Sequence, residues 1–131
     1  MNKAILEETS TKSLSGEMTF PEVIMKLMSA GVESYRVDLY QNRKTFYMPN
    51  GEIYSESFDF QGPMIAADYS KAMLLSALED IQNKRIDYRA FLKQIMLAGI
   101  ANYHAYLNGR KVVYMSRNGE LHVEDFPSAK K

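Results

Sequence analysis

Apolar residues recur at helical spacing at Val23, Ile24, Leu27 and Met28, and again at Phe91, Leu92, Ile95 and Met96. Thr19 with Glu22 three residues on forms a capping box, and Pro21 suits a first helical turn. Gly31 stands where a left-handed residue closes the helix. Asp87 and Gly99 bracket the second helix in the same way. A longer pattern, Met73, Leu74, Ala77, Leu78 and Ile81, predicts a third and longest helix, opening near Asp68 or Ser70 and closing near Asn83. The N-terminal residues carry a weaker pattern that predicts a short, frayed helix with Ser13 to Gly16 as its exit. After each of the two capped helices the period changes to two. Tyr35–Tyr40, Lys44–Met48 and Glu52–Phe58 read as three strands, and so do Tyr103–Leu107, Lys111–Ser116 and Glu120–Phe126. Asn108-Gly109 is the residue pair of a two-residue hairpin turn, and Asn50-Gly51 and Asn118-Gly119 mark further turns.

These elements are one unit written twice. Gly31 corresponds to Gly99, 68 residues later, with Met28 on Met96, Tyr35 on Tyr103 and Leu39 on Leu107. Identity between Arg43-Lys44 and Arg110-Lys111, and between Tyr47-Met48 and Tyr114-Met115, implies a one-residue deletion that an insertion at Arg117 restores. The expected fold is therefore α+β: an internal duplication of a helix–helix–three-stranded-meander unit. Helices should pack on one face of an antiparallel sheet. The chain should form a single domain, 1–131, with repeats over about 1–58 and 68–126 and a tail at 127–131.

Strand alternation then sorts the side chains. Tyr103, Ala105, Leu107, Val112 and Tyr114 belong to the helix-covered face, and by the repeat so do Tyr35, Val37, Leu39, Thr45 and Tyr47. The other face receives Arg36, Asp38, Phe46 and Met48 with His104, Tyr106, Val113 and Met115. A sheet face of such mixed character suggests an interface or a shallow ligand site. The interface candidates are Phe46, Met48, Val113 and Met115, with a homodimer or another protein as the partner. The third strand of each copy has two possible registers, and a slip of one residue moves Tyr54, Glu56, His122 and Glu124 together from one face to the other.

Composition narrows the function classes. Sixteen basic residues balance sixteen acidic ones, so a phosphate-tracking nucleic-acid binder is not expected. No apolar run approaches the ~20 residues of a membrane helix, and Met1–Ser10 lacks the apolar core of a secretory signal. With no cysteine, disulfides and thiol chemistry drop out, and a cytoplasmic address is expected. The nine Tyr and six Phe follow strand alternation without interleaved basic residues, which favours packing over base stacking.

Candidate chemistry is sparse. His104 and His122 are the only histidines. In the register that sets Met115 opposite His122 they lie about 12 Å apart, too far to share a metal ion, so neither metal nor cofactor is expected. No glycine pattern fits a phosphate loop. Arg36, Asp38, His104 and Tyr106 could converge if the first strands of the two copies pair. His104 would then serve as base, Asp38 would orient it and Arg36 would hold an anionic substrate. The alternative for these residues is a solvated cross-strand ion pair of Asp38 with Lys44 or Arg36.

The segments AGVESYRVDLYQNRKTFYMPNGE and AGIANYHAYLNGRKVVYMSRNGELHVEDFP resemble a bacterial, partly prophage-borne family of unknown function that carries the label phage envelope protein. Gly31 with Tyr35 and Asp38, Tyr47, Gly51-Glu52, Gly109-Arg110 and His122-Val123-Glu124 carry the resemblance. It implies a prophage origin and a virion-associated role, and it supplies no catalytic residues. The sequence leads to a non-enzymatic cytoplasmic accessory or interaction protein, with a small-molecule-binding protein or enzyme as the alternative.

Overall fold

The computed structural model describes residues 1–126. The expected tail, 127–131, lies outside them. The first copy comprises α1 (Lys3–Ser15), α2 (Phe20–Ser29), β1 (Ser34–Asp38), β2 (Arg43–Tyr47) and β3 (Ile53–Ser57). The second comprises α3 (Lys71–Gln82), α4 (Tyr88–Leu97), β4 (Ile100–Tyr106), β5 (Lys111–Ser116) and β6 (Leu121–Asp125). The strands form one antiparallel sheet in the order β3-β2-β1-β4-β5-β6. The two meanders thus join through β1 and β4, and the four helices cover one face.

Local chemistry sets the helix ends as the sequence indicates. Thr19 and Glu22 form a reciprocal capping box, with the Thr19 amide donating to Glu22 Oε1 at 2.8 Å. Asp87 and Ser70 cap α4 and α3 by accepting from Ala90 and Met73 amides. Gly31 and Gly99 follow α2 and α4 with φ of +83° and +96°. At Gly99 an added Cβ would meet the Asp68 carbonyl oxygen at 2.7 Å, so the chain entering α3 packs directly on that glycine.

The N-terminal helix is longer than expected: α1 has 13 residues against 12 for α3. Leu6 and Leu14 anchor it, and Thr9, Ser10 and Ser13 are buried with them. These small polar side chains interrupt the apolar pattern yet suit a helix packed closely on α2 and α4. Thr9 Oγ1 donates back to the Leu6 carbonyl at 2.8 Å, which satisfies one of the buried hydroxyls. Gly16, at φ +80°, ends the helix.

The duplication keeps its 68-residue offset throughout, without the deletion and insertion that sequence identity implies. Arg43 ends the β1–β2 loop as Lys111 ends the β4–β5 loop. Every positive φ among the described residues repeats at that spacing: Gly16 with Lys84, Gly31 with Gly99, Asn42 with Arg110, and Gly51 with Gly119. Asn108-Gly109 is accordingly the middle of a four-residue loop between Tyr106 and Lys111, not a two-residue turn. Leu107 in that loop is buried in the core.

This offset corrects the faces of β2. Tyr35 pairs with Phe46 and Val37 with Lys44, so Phe46 and Lys44 lie under the helices. Phe46 is 0% exposed and packs between the Tyr35 and Tyr54 rings. Met48 is buried at 9%. Neither can serve as an interface residue on the open face, and Thr45 and Tyr47 take their places there. In the second copy Tyr103 pairs with Tyr114 and Ala105 with Val112, as alternation requires.

Candidate functional site

The open face is a grid of six strands by three rows. One outer row runs Ile53, Tyr47, Ser34, Tyr106, Lys111, Asp125. The middle row runs Ser55, Thr45, Arg36, His104, Val113, Val123, and the other outer row Ser57, Arg43, Asp38, Asn102, Met115, Leu121. The β2–β3 half is mostly polar. The β5–β6 half holds Val113, Met115, Leu121 and Val123 side by side, with Leu121 57% and Val123 46% exposed. The sequence pointed to the first two. Leu121 and Val123 join them because β6 pairs Met115 with Leu121 and Val113 with Val123.

At the centre, β1 and β4 bring Arg36 directly opposite His104 and Asp38 opposite Asn102. His104 Nε2 shares a 2.9 Å hydrogen bond with Ser34 Oγ. Its ring stacks between Tyr106, at 4.3 Å, and Tyr47, at 5.4 Å. Partial burial pushes its pKa down, and the Arg36 cation adds to the effect. The imidazole is therefore neutral at pH 7 and could accept a proton. Asp38 does not orient it. Asp38 Oδ1 accepts from the Tyr40 and Gln41 amides, at 2.9 and 3.3 Å, and so shapes the β1–β2 loop. Three of the four candidates thus meet, while the carboxylate turns to its own loop. Nor, among the described residues, does Asp38 form the alternative ion pair, either with Lys44, which lies on the other face, or with Arg36.

The two histidines sit on opposite faces. β6 sets His122 against Tyr114, on the helix side, where His122 Nε2 lies 3.0 Å from Glu124 Oε1. Among the described residues no group of three or more His, Asp or Glu side chains could hold a metal ion. No helix of the described residues is long and apolar enough to cross a membrane.

Comparison with protein-family models finds no match, and neither does comparison with curated proteins. The site must be read from its own residues.

A second polar group is the one that sequence reasoning missed. Lys44 is only 5% exposed, lying between the Tyr35 and Tyr88 rings at 5.5 and 5.7 Å from their centroids. Burial lowers its pKa to about 8, and Glu56, its neighbour on β3, opposes that shift. The surrounding Tyr35, Tyr88, Tyr103 and Tyr114 hydroxyls have pKa values raised by burial. Tyr88 and Tyr103 hydrogen-bond to one another through their hydroxyls. The signal was present in the sequence: Val112 is the counterpart of Lys44 once the offset stays at 68.

Proposed function

We propose that this chain is a non-enzymatic, cytoplasmic interaction protein of prophage origin, which docks a protein chain on the β5–β6 half of its open sheet face. The observation that supports this is the contiguous patch of Val113, Met115, Leu121 and Val123, on a face whose other half is mostly polar and exposes Ile53 alone among large aliphatic side chains. The patch ends at β6, which has a strand neighbour on one side only. Exposed apolar clusters of this kind gain by being covered, and an edge strand leaves backbone groups without ladder partners. A photo-crosslinking side chain placed at Val123 in cells tests it. Irradiation should join the protein to a second polypeptide, and Val113→Ser/Met115→Ser in the same chain should abolish the adduct. Absence of any polypeptide adduct would overturn the reading.

A second reading has one specific observation in its favour: β1 and β4 set Arg36 opposite His104, whose ring stacks on Tyr106. A small anionic ligand could lie along Arg36, His104 and Tyr106. His104→Ala should then remove binding or turnover while leaving the fold intact; a small-molecule screen with identical hits on both proteins would sink it.

A further inference from the structure

We infer that the partner of the β5–β6 patch is a second copy of this chain, packed sheet to sheet about a two-fold axis that runs parallel to the strands between β5 and β6. This rests on the patch being an interface, and it adds the partner and the register. Three rows cross these two strands on the open face: Lys111 beside Asp125, Val113 beside Val123, and Met115 beside Leu121. A half-turn about the stated axis lays β5 over the partner's β6 with each row kept level. Lys111 then faces the partner's Asp125, Val113 faces the partner's Val123, and Met115 faces the partner's Leu121. Each contact occurs twice, so two charge pairs flank one end of an apolar centre. Among the described residues no ion pair joins Lys111 to Asp125 within the chain, and both are exposed.

Other two-folds fit the same face worse. An axis perpendicular to the strands would set Lys111 on the partner's Met115 and Asp125 on the partner's Leu121, removing charges from water without compensation. An axis along β5 would set Lys111 on the partner's Lys111. An axis between β4 and β5 would set Leu121 on the partner's Asp38 and Val123 on the partner's Arg36. Of these arrangements only the first sets apolar side chains on apolar ones and opposite charges on each other, and it leaves the mostly polar β2–β3 half in water. Sheets stacked at about 10 Å with strands within about 30° of parallel keep a lysine within reach of the facing carboxylate. Two strands of overlap cover roughly 10 by 17 Å. That is well below the area of a standard stable interface, so the dimer should be a weak one, dissociating in the micromolar to millimolar range.

The test is sedimentation equilibrium of the full chain at low ionic strength, with Lys111→Glu and Asp125→Lys each alone and mixed in equal amounts. The wild type should dimerise reversibly. Each single variant sets like charges against each other in both copies of the contact and should dissociate at least about tenfold more readily. Mixed, each chain offers opposite charges to the other, and heterodimers should return. Lys26→Glu mixed with Glu52→Lys carries the same net charges away from the patch and should show no such recovery. A wild type that stays monomeric into the millimolar range overturns the second copy as partner, while a polypeptide adduct in cells would still support docking of another protein. A wild-type dimer indifferent to both charge reversals overturns the register.

Discussion

Lys44 should make the protein more stable in mild alkali. Its ammonium is buried beside Tyr35 and Tyr88, and its pKa is about 8 in the fold against 10.5 for an ordinary lysine. The unfolded chain therefore holds a proton at pH values where the folded one has released it. Stability contributed by this group is present above 10.5 and is lost as pH falls through 8. At about 1.4 kcal/mol per unit, the full effect is on the order of 3 kcal/mol, of which about 2 kcal/mol lies between pH 7 and pH 10. Tyr35, Tyr88, Tyr103 and Tyr114 act in the other direction. Their folded pKa values are raised above the usual 10.0, so their contribution is complete below that pH and fades as ionisation is forced above it. Stability should thus climb from pH 7 and turn over between about pH 9 and pH 10, as the unfolded chain's tyrosines begin to ionise. Urea unfolding followed by circular dichroism at one-unit intervals measures the climb. Lys44→Met keeps the apolar stem and removes the proton, so its curve should be flat from pH 7 to about pH 9 and fall beyond it. A wild-type curve that is flat or falling from pH 7 to about pH 9 would refute the reasoning, as would a climb that survives in Lys44→Met.

Three further outcomes separate the elements described above. Phe46→Ala should cost about 3–5 kcal/mol of unfolding free energy, because a fully buried ring is removed from the core, whereas Val113→Ser should cost far less and act mainly on association; equal losses in thermal melts would contradict the placement of β2. Gly31→Ala meets open space and should cost only the left-handed backbone term, about 1–2 kcal/mol. Gly99→Ala adds a collision with the Asp68 carbonyl and should cost clearly more in the same denaturation assay. Thr19→Ala removes the capping box of α2 and should cost about 1 kcal/mol, with protection of the first-turn amides in hydrogen exchange falling accordingly.

Much of this fold can be read from the chain because caps, stripes and alternation agree with one another. Thr19, Asp87, Gly31 and Gly99 mark two helices without help from tertiary contacts. In the second copy Tyr103, Ala105, Val112 and Tyr114 leave alternation only one solution. The first copy is ambiguous where it matters. Phe46 and Tyr47 are adjacent aromatics, either of which could face inward, and matching Tyr47 to Tyr114 favours the wrong one. The decision rests on loop geometry: four residues with a left-handed residue at Asn42 and at Arg110, neither of them glycine. It also requires a lysine inside, which a hydrophobicity pattern does not propose. For the same reason Ser10 and Ser13 in α1 read as surface although they are buried. At the candidate site, the meeting of Arg36 and His104 followed from pairing the first strands of the two copies. The loss of Asp38 to the β1–β2 loop did not, since its acceptors were committed by the backbone of Tyr40 and Gln41.

The seam between the halves bears on the history of the chain. Arg36 and His104 are counterparts in the two copies, and they are also the residues that face each other where β1 meets β4. Had two identical half-length chains met there, this position would have faced itself, and two arginines would have repelled each other. Fusing the halves into one gene lifts that demand for self-compatibility. One side keeps its cation while the other substitutes an imidazole that its surroundings leave uncharged. The same freedom lets one wing of the sheet, β5 with β6, gather Val113, Met115, Leu121 and Val123 while its twin, β2 with β3, keeps mostly polar side chains: a divergence closed to a symmetric pair of identical subunits.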